Sequence, residues 1–177
     1  MSEKKALQLT IRYADLSDAR LISGLGATTF YETYFEQDEP GDLADYLAEN
    51  FNPKQMEKEL ADPDSTFMIA EVEGKAVGYA KLRENSRVDC IRDEKAVELH
   101  RIYVLEKMSG RGIGGELIRE CRAEARRKGF TSIWLGVWEN NPKAQRFYRK
   151  QGFVKAGELR FRYGSKIETN YILRSDL

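Results

Sequence analysis

Residues 97–114 constrain the fold of this chain more than any other stretch, because they join an apolar strand to a helix through a glycine-rich turn. The β-branched and aromatic run ends at Val104, and a helical pattern begins near Gly114. The glycines let backbone N–H groups approach a ligand without an intervening Cβ, and the helix start adds unpaired donors and a partial positive charge. The stretch therefore predicts a site for an anion such as a pyrophosphate. A plain strand-to-helix turn is the alternative for this stretch taken alone.

The same glycines formally match the dinucleotide fingerprint G-x-G-x-x-G over residues 110–115, with Glu139 near the end of the next predicted strand. A Rossmann unit, however, places its first glycine directly after the strand, whereas Leu105–Ser109 intervene here. No Gly-Lys-Ser/Thr follows the glycines, which excludes a P-loop. The sequence therefore favours an anion site of another kind.

Composition predicts a soluble globular protein with one domain over residues 1–177, since 33% of the residues are charged and 41% are hydrophobic. The formal net charge of +0 gives no global attraction to nucleic acid or to a membrane. We see neither an apolar signal core at the N-terminus nor a run of membrane-spanning length. Cys90 and Cys121 lack metal-ligand spacing. We therefore expect a cytoplasmic protein with no metal, no nucleic-acid partner and no membrane partner.

Charge is unevenly distributed along the chain. No Lys or Arg lies between Arg20 and Lys54, and no acid lies between Lys143 and Lys155. The first segment holds Glu32, Glu36, Asp38, Glu39, Asp42, Asp45 and Glu49. The pattern predicts one acidic and one basic region, although solvated helix faces would explain each segment separately.

The hydrophobic periodicity predicts a mixed α/β fold around one sheet. The order is a strand over residues 7–14, two or three helices, three strands, a helix, a strand, a helix and two strands. Residues 66–83 are expected to form a hairpin that turns at Glu73-Gly74-Lys75. The first helix is expected to bury Leu21, Ile22, Leu25, Thr28 and Thr29. Residues 131–138 are expected to be buried on both faces, and the last strands to span 153–159 and 169–174.

A second motif begins at Asn141 and ends at Phe153. On a helix, Ala144 and Tyr148 are four positions apart, so they share one face beside Asn141. The small side chain of Ala144 lets another group approach closely, and the Tyr148 phenol then points over the same groove. The alternative is a helical tyrosine that simply packs in the protein core or lies on the protein surface.

Together the two motifs resemble those of the GCN5-related N-acetyltransferase (GNAT) superfamily. Leu99, Ile102 and Val104 match the strand of its motif A, and Gly112 and Gly114 match its two glycines. Ser109 stands where the superfamily has Arg or Gln. Motif B is matched by Asn141, Ala144, Tyr148, Gly152 and Phe153. Residues 29–35, 101–104 and 133–139 further resemble the PaiA-type spermidine/spermine acetyltransferases.

The resemblance implies a mixed, mostly antiparallel sheet of about seven strands flanked by helices, whose splayed central strands form a cleft for acetyl-CoA as co-substrate. It also implies a cofactor site without a metal. Its implied residues are the backbone of Ile102, Tyr103 and Val104, the loop Ser109, Gly110, Arg111, Gly112, Ile113 and Gly114, and Asn141, Ala144 and Lys150, with Lys143 as a further phosphate ligand.

Catalysis in such a site needs an acid and a base. The resemblance implies that Tyr148 protonates the leaving thiol. Glu98 and His100 are the candidate bases, because residues two apart on a strand face the same way unless a bulge intervenes. Either could equally be a surface polar residue.

For the acceptor, the resemblance places the N-terminal helices along one wall of the acceptor groove. Tyr31, Glu32 and Tyr34 are the expected contacts, and carboxylates among aromatic rings suit a polyamine through ion pairs and cation–π contacts. A protein N-terminus, a lysine or another small amine is the alternative acceptor. A non-catalytic acetyl-CoA-binding regulator is the alternative from another class. The exposed C-terminal strands permit a homodimer.

Overall fold

Residues 8–177 build one sheet of seven strands, in the order β1-β2-β3-β4-β5-β7-β6. The computed structural model describes residues 8–177, so Leu7 and the predicted features of the N-terminus lie outside the described residues. The strands are β1 (Leu9–Tyr13), β2 (Ser65–Val72), β3 (Lys75–Arg83), β4 (Ala96–Val104), β5 (Ser132–Trp138), β6 (Val154–Tyr163) and β7 (Lys166–Asp176). The helices are α1 (Ala19–Tyr34), α2 (Pro40–Asn50), α3 (Pro53–Ala61), α4 (Ile113–Arg127) and α5 (Pro142–Lys150), with short 3₁₀ turns at Leu16–Asp18 and Glu106–Met108.

The predicted element order and sheet type are confirmed. Every neighbouring pair of strands is antiparallel except β4 and β5, which are parallel. The predicted hairpin is β2–β3. Its turn places Glu73 at φ 50° and Gly74 at φ 75°, the left-handed pair that tight hairpins favour.

Helices cover both faces of the sheet. On one face, α4 buries Leu117, Ile118, Cys121 and Ala125 against β2 to β5, as its periodicity predicts. On the other face, α1 and α3 pack Ile22, Leu25 and Met56 against the sheet. The described part of the chain contains no helix that is long and apolar enough to cross a membrane.

Part of the predicted buried face of α1 is wrong. Leu21 is 42% exposed and Thr28 is exposed, whereas Ser23 and Gly26 are buried. The face is rotated because the Ser23 hydroxyl donates to the Phe51 carbonyl, and a Cβ on Gly26 would lie 2.5 Å from the Phe51 ring. Ser23, with its hydrogen-bonded hydroxyl, and Gly26, with its close helix contact, are thus buried in place of Leu21 and Thr28.

The last two strands are longer than the sequence predicts. Their register extends to Tyr163↔Lys166, beyond the predicted ends. The added residues, such as Arg160 and Arg162, are exposed and polar, and a polar edge strand lacks the hydrophobic alternation of a half-buried one. β5 also departs from prediction, because Gly136 is exposed.

Candidate active site

The site begins where β4 and β5 separate. The two strands pair only over Ala96–Glu98 with Ser132–Trp134. The Leu105 amide donates to the Val77 carbonyl of β3 at 2.9 Å. Backbone groups of successive strand residues alternate in direction, so those of Ile102 and Val104 face the gap and those of Tyr103 face β3. Tyr103 therefore does not offer its backbone to the gap; its ring packs against Phe30 and Tyr79 and lines the cleft.

The second part of the site is the N-terminus of α4. Gly112 caps the helix in the left-handed conformation at φ 81°, and no side chain caps it. The amides of the first turn, Ile113, Gly114 and Gly115, line the cleft and have no partner within the helix. Ser109 and Gly110 also line it, whereas Arg111 is exposed outside the lining. The backbone therefore offers the anion site, and the contact of Arg111 with a phosphate stays a prediction.

Gly114 has a packing role as well. A Cβ at this position would lie 3.0 Å from the Phe147 ring. The absence of a side chain thus lets α5 approach the start of α4 closely, which brings the two motifs to one site.

Helix α5, next to the start of α4, forms another side of the cleft. The Asn141 side chain caps the helix by accepting from the Ala144 amide at 3.0 Å. Asn141, Ala144 and Tyr148 all line the cleft. The cations of this helix that line it are Lys143, Arg146 and Lys150. The helix therefore makes this end of the cleft basic, as its charge run predicts.

Tyr148 lies in the last turn of this helix. Its ring packs against Phe147 and Phe153, with centroids 5.3 and 5.9 Å away. Burial raises the pKa of the Tyr148 phenol above its ordinary value. The hydroxyl therefore keeps its proton at neutral and moderately alkaline pH, as a proton donor requires.

A bulge in β4 changes the relation of the two candidate bases. Leu99 pairs with Leu82 and Arg101 with Lys81, so His100 has no partner in the ladder. The two-residue alternation between Glu98 and His100 is interrupted, which is the exception that the strand prediction allowed for. Both residues still line the cleft. Glu98 accepts from Arg83 Nε at 2.7 Å, a partner that the sequence did not indicate.

His100 is held neutral. Its Nδ1 is buried without a hydrogen-bond partner in the described part of the chain. Burial and the nearby Arg101, Arg83 and Lys81 lower the pKa of His100 to about 2. A base of that strength takes up no proton near neutral pH.

We expect the His100 imidazole not to titrate between pH 5 and 8, because its burial and the cations around it oppose a positive charge. His100 is the only histidine, so its ring signals in an NMR pH titration are unambiguous. Chemical shifts that change with a midpoint near pH 6.5 would contradict this environment.

The three predicted acceptor contacts lie in different environments. Tyr34 lines the cleft, and its ring packs against Trp138 with centroids 5.9 Å apart. Glu32 also lines it, but one carboxylate oxygen accepts from the Glu106 amide at 2.9 Å. Tyr31 is 53% exposed and lies outside the lining. It stacks on Phe35 instead, because α1 turns this position toward solvent.

A group of carboxylates, here called the acidic wall, also lines the cleft. It consists of Asp38, Asp42, Asp45, Glu49 and Glu168. Aromatic rings stand between these carboxylates: Tyr46, Trp138, Phe161 and Tyr163. Glu168 accepts from the Trp138 indole N–H at 2.8 Å. The sequence did not indicate that residues of β5 and of the β6–β7 hairpin belong to this wall. The only signal for them is the alternation of aromatic residues at Phe161 and Tyr163.

The cleft encloses about 1520 Å³, enough for an extended carrier molecule and an acceptor together. Its parts fit coenzyme A: an uncapped helix N-terminus for the pyrophosphate, free strand groups for an amide-bearing arm, and cations for further phosphates. Among residues 8–177, no cluster of three or more His, Cys, Asp or Glu side chains could hold a metal ion.

Comparisons with known proteins agree with this geometry. A model of the acetyltransferase (GNAT) family matches residues 27–153. An uncharacterized N-acetyltransferase from the pepI 3′ region of Lactobacillus delbrueckii subsp. lactis is 31% identical, over 84% of this chain and 86% of that protein. An uncharacterized N-acetyltransferase of Mycobacterium tuberculosis is 31% identical, over 92% of this chain and 99% of that protein.

The fold has solved counterparts. A PaiA N-acetyltransferase from Thermoplasma acidophilum, crystallised in complex with coenzyme A, superposes with a TM-score of 0.79. The two share 19% identity, and the match covers 96% of this chain and 99% of the other. The chain therefore belongs to the acetyltransferase (GNAT) family, and it is an acetyl-CoA-dependent N-acetyltransferase.

Proposed function

We propose that the acceptor is a polycationic amine such as spermidine or spermine, which is acetylated by direct attack in a ternary complex. The observation that carries the proposal is the acidic wall. Its carboxylates come from α2, the turn before it and β7, with aromatic rings from the same part of the cleft lining, whereas α5 contributes three of the lining cations. Carboxylates attract ammonium groups, and aromatic faces add cation–π contacts.

The acidic wall and the basic part of the cleft at α4 and α5 suit two substrates of opposite charge. Acetyl-CoA supplies an activated acetyl thioester together with several phosphates. The α4 N-terminus and the cations of α5 would bind and orient the phosphates, while Ile102 and Val104 would hold the arm through their backbone groups. The acidic wall is then left for an acceptor that carries positive charge.

The acceptor must lose a proton before it attacks. An alkyl amine has a pKa of about 10.4, so only about one molecule in a thousand is neutral near pH 7.4. We assign the role of base to Glu98, directly or through water, because His100 is too weak a base. Glu98 forms an ion pair with Arg83, with one carboxylate oxygen 2.7 Å from the guanidinium. Tyr148 holds the proton that the departing thiol takes up.

The proposal is tested by the rate of thiol release from acetyl-CoA at low salt. We expect spermidine and spermine to react with a kcat/KM at least about tenfold above that of a neutral monoamine of similar length. Equal values would contradict the polycationic acceptor. A peptide N-terminus as the best acceptor would replace it, and binding of CoA without turnover of any amine would favour a regulator.

A double variant that removes two negative charges from the acidic wall makes a sharper test. We expect Asp45→Asn with Glu49→Gln to raise the KM for spermidine roughly three- to tenfold, because exposed carboxylates each contribute up to about 1 kcal/mol to an ion pair. The effect should shrink with added salt, and the KM for acetyl-CoA should not change.

The matched control is Glu36→Gln with Glu57→Gln. Both residues are exposed and lie outside the cleft lining, so the control removes the same net charge elsewhere. Equal effects of the two double variants would contradict a local role of the acidic wall.

A further inference from the structure

A buried ionic cluster lies directly beneath the cleft. Lys81 of β3 and Arg101 of β4 are 4% and 7% exposed. Both donate to Glu59 of α3, with Lys81 Nζ and one Arg101 guanidinium nitrogen each 2.7 Å from the same carboxylate oxygen. Arg101 also stacks on the Phe51 ring, with its Cζ 5.0 Å from the centroid. The three side chains are therefore largely shielded from solvent and are held in place by these contacts.

The cluster carries an excess of positive charge. Two cations share one carboxylate, and the neighbouring Arg83 is already paired with Glu98. The titratable and charged groups around Lys81 and Arg101 are Tyr46, Glu59, Tyr79, Arg83, Glu98 and His100, and Asp62 at the end of α3 also interacts with Lys81 and Arg83. Since the two tyrosines and the histidine are neutral near pH 7, the groups beneath the cleft leave one positive charge. Only Asp62 offsets it, and because this carboxylate is partly open to solvent, water screens its effect.

This charge lies next to the reacting end of the cleft. Arg83, Glu98, His100 and Arg101, the residues of β3 and β4 that line the cleft at the bulge, form its floor. The free edge of β4 runs from Val104 back to the point near Leu99 where the strands separate. The arm of acetyl-CoA, anchored at the α4 N-terminus and laid along this edge, would end over the floor. The attacking amine would therefore have to reach the same floor.

We propose that the Lys81–Glu59–Arg101 cluster favours the neutral, nucleophilic form of the amine that reacts over this floor. The inference deepens the proposed function and rests on it, because it concerns a cationic acceptor. A like charge in a medium of low polarity disfavours a second positive charge. The proton that the amine loses goes to Glu98, or through it to water.

The same field already acts on His100. Burial comes first among the causes that lower the pKa of this imidazole, and Arg101, Arg83 and Lys81 follow. Different parts of the cleft thus act on different amino groups of a polyamine. The acidic wall attracts the distal ammonium groups, and the buried cations disfavour the charged form of the group that reacts, whose proton passes to Glu98.

The test compares Lys81→Met with Lys81→Arg in the dependence of kcat on pH at saturating spermidine and acetyl-CoA. Methionine removes one buried cation and leaves Glu59 paired with Arg101, whereas arginine keeps the charge. We expect Lys81→Met to move the rising limb of kcat up by about half to one pH unit, with a three- to tenfold lower kcat below it. Lys81→Arg should keep the wild-type midpoint. An unchanged midpoint in Lys81→Met would overturn the proposal.

A second acceptor separates this role from a structural one. A fluorinated alkyl amine that is neutral at pH 7 needs no deprotonation, so its turnover should be nearly equal in wild type and Lys81→Met. A loss of activity that is equal for spermidine and for this amine would overturn the proposal and assign Lys81 to stability. Wild-type protein that does not acetylate polyamines would contradict the proposed function instead, and the pH profile would then be measured with the preferred amine.

Discussion

Replacing Tyr148 by phenylalanine is expected to lower kcat by at least about tenfold while the Kd for coenzyme A stays within about twofold of wild type. General acids contribute roughly 10²–10⁴ to a rate, and we expect the lower part of that range because a thiol leaves more readily than an amine. The phenol packs between Phe147 and Phe153, so the ring of the variant keeps its place. The measurement is thiol release together with CoA titration.

Tyr31→Phe is the matched control for this variant. It also removes one phenolic hydroxyl, but the residue is exposed and lies outside the cleft, so its kcat should equal that of wild type. Because burial raises the pKa of Tyr148, wild-type kcat should not decline below about pH 10 through loss of this proton. Full activity of Tyr148→Phe would remove the residue from its role as acid.

The second large effect is expected at the glycine loop. Gly110 and Gly112 have φ values of 76° and 81°, a region that costs other residues about 1–2 kcal/mol. We expect Gly112→Ala to raise the Kd for CoA about tenfold, and Gly110→Ala with Gly112→Ala to raise it about a hundredfold. The reason is that the left-handed turns aim the amides at the start of α4 toward the anion. Isothermal titration with CoA measures the effect.

Gly24→Ala is the control for this substitution. Gly24 is exposed in α1, and a Cβ added there would meet open space, with no described heavy atom beyond its own stretch of helix within 4 Å. Alanine there should stabilise the fold by about 0.5–1 kcal/mol and leave CoA binding unchanged. A Kd for Gly112→Ala that matches this control would show that the conformation of the loop is not needed for binding.

Local motifs predicted the elements that carry the glycine loop and helix α5. The β4–loop–α4 unit and the cap of α5 by Asn141 are each contained in a short stretch, so spacing and residue type were enough. The close approach of Gly114 to Phe147 joins the two stretches. It is visible in the sequence only as a glycine where a helix begins.

The acidic wall depends on contacts between distant parts of the chain. Glu168 reaches Trp138 across β5 and β7, and Tyr163 reaches Tyr46 of α2, with ring centroids 5.4 Å apart. No spacing rule predicts such pairs. The bulge at His100 was equally hidden, because it arises from the register between β3 and β4. Tyr31 lies outside the cleft that Tyr34 lines, because a spacing of three residues still turns a helical side chain by about 60°, which here is enough to move it from the cleft to solvent.

The central claim is acetyl transfer from acetyl-CoA to a polycationic amine, and mass spectrometry of the acceptor tests it most directly. Spermidine incubated with the wild-type protein and acetyl-CoA is expected to gain the mass of one acetyl group, with an equal amount of free CoA released. Tyr148→Phe should form the same product more slowly. Unmodified spermidine beside an acetylated peptide or neutral amine from the same mixture would contradict the claim.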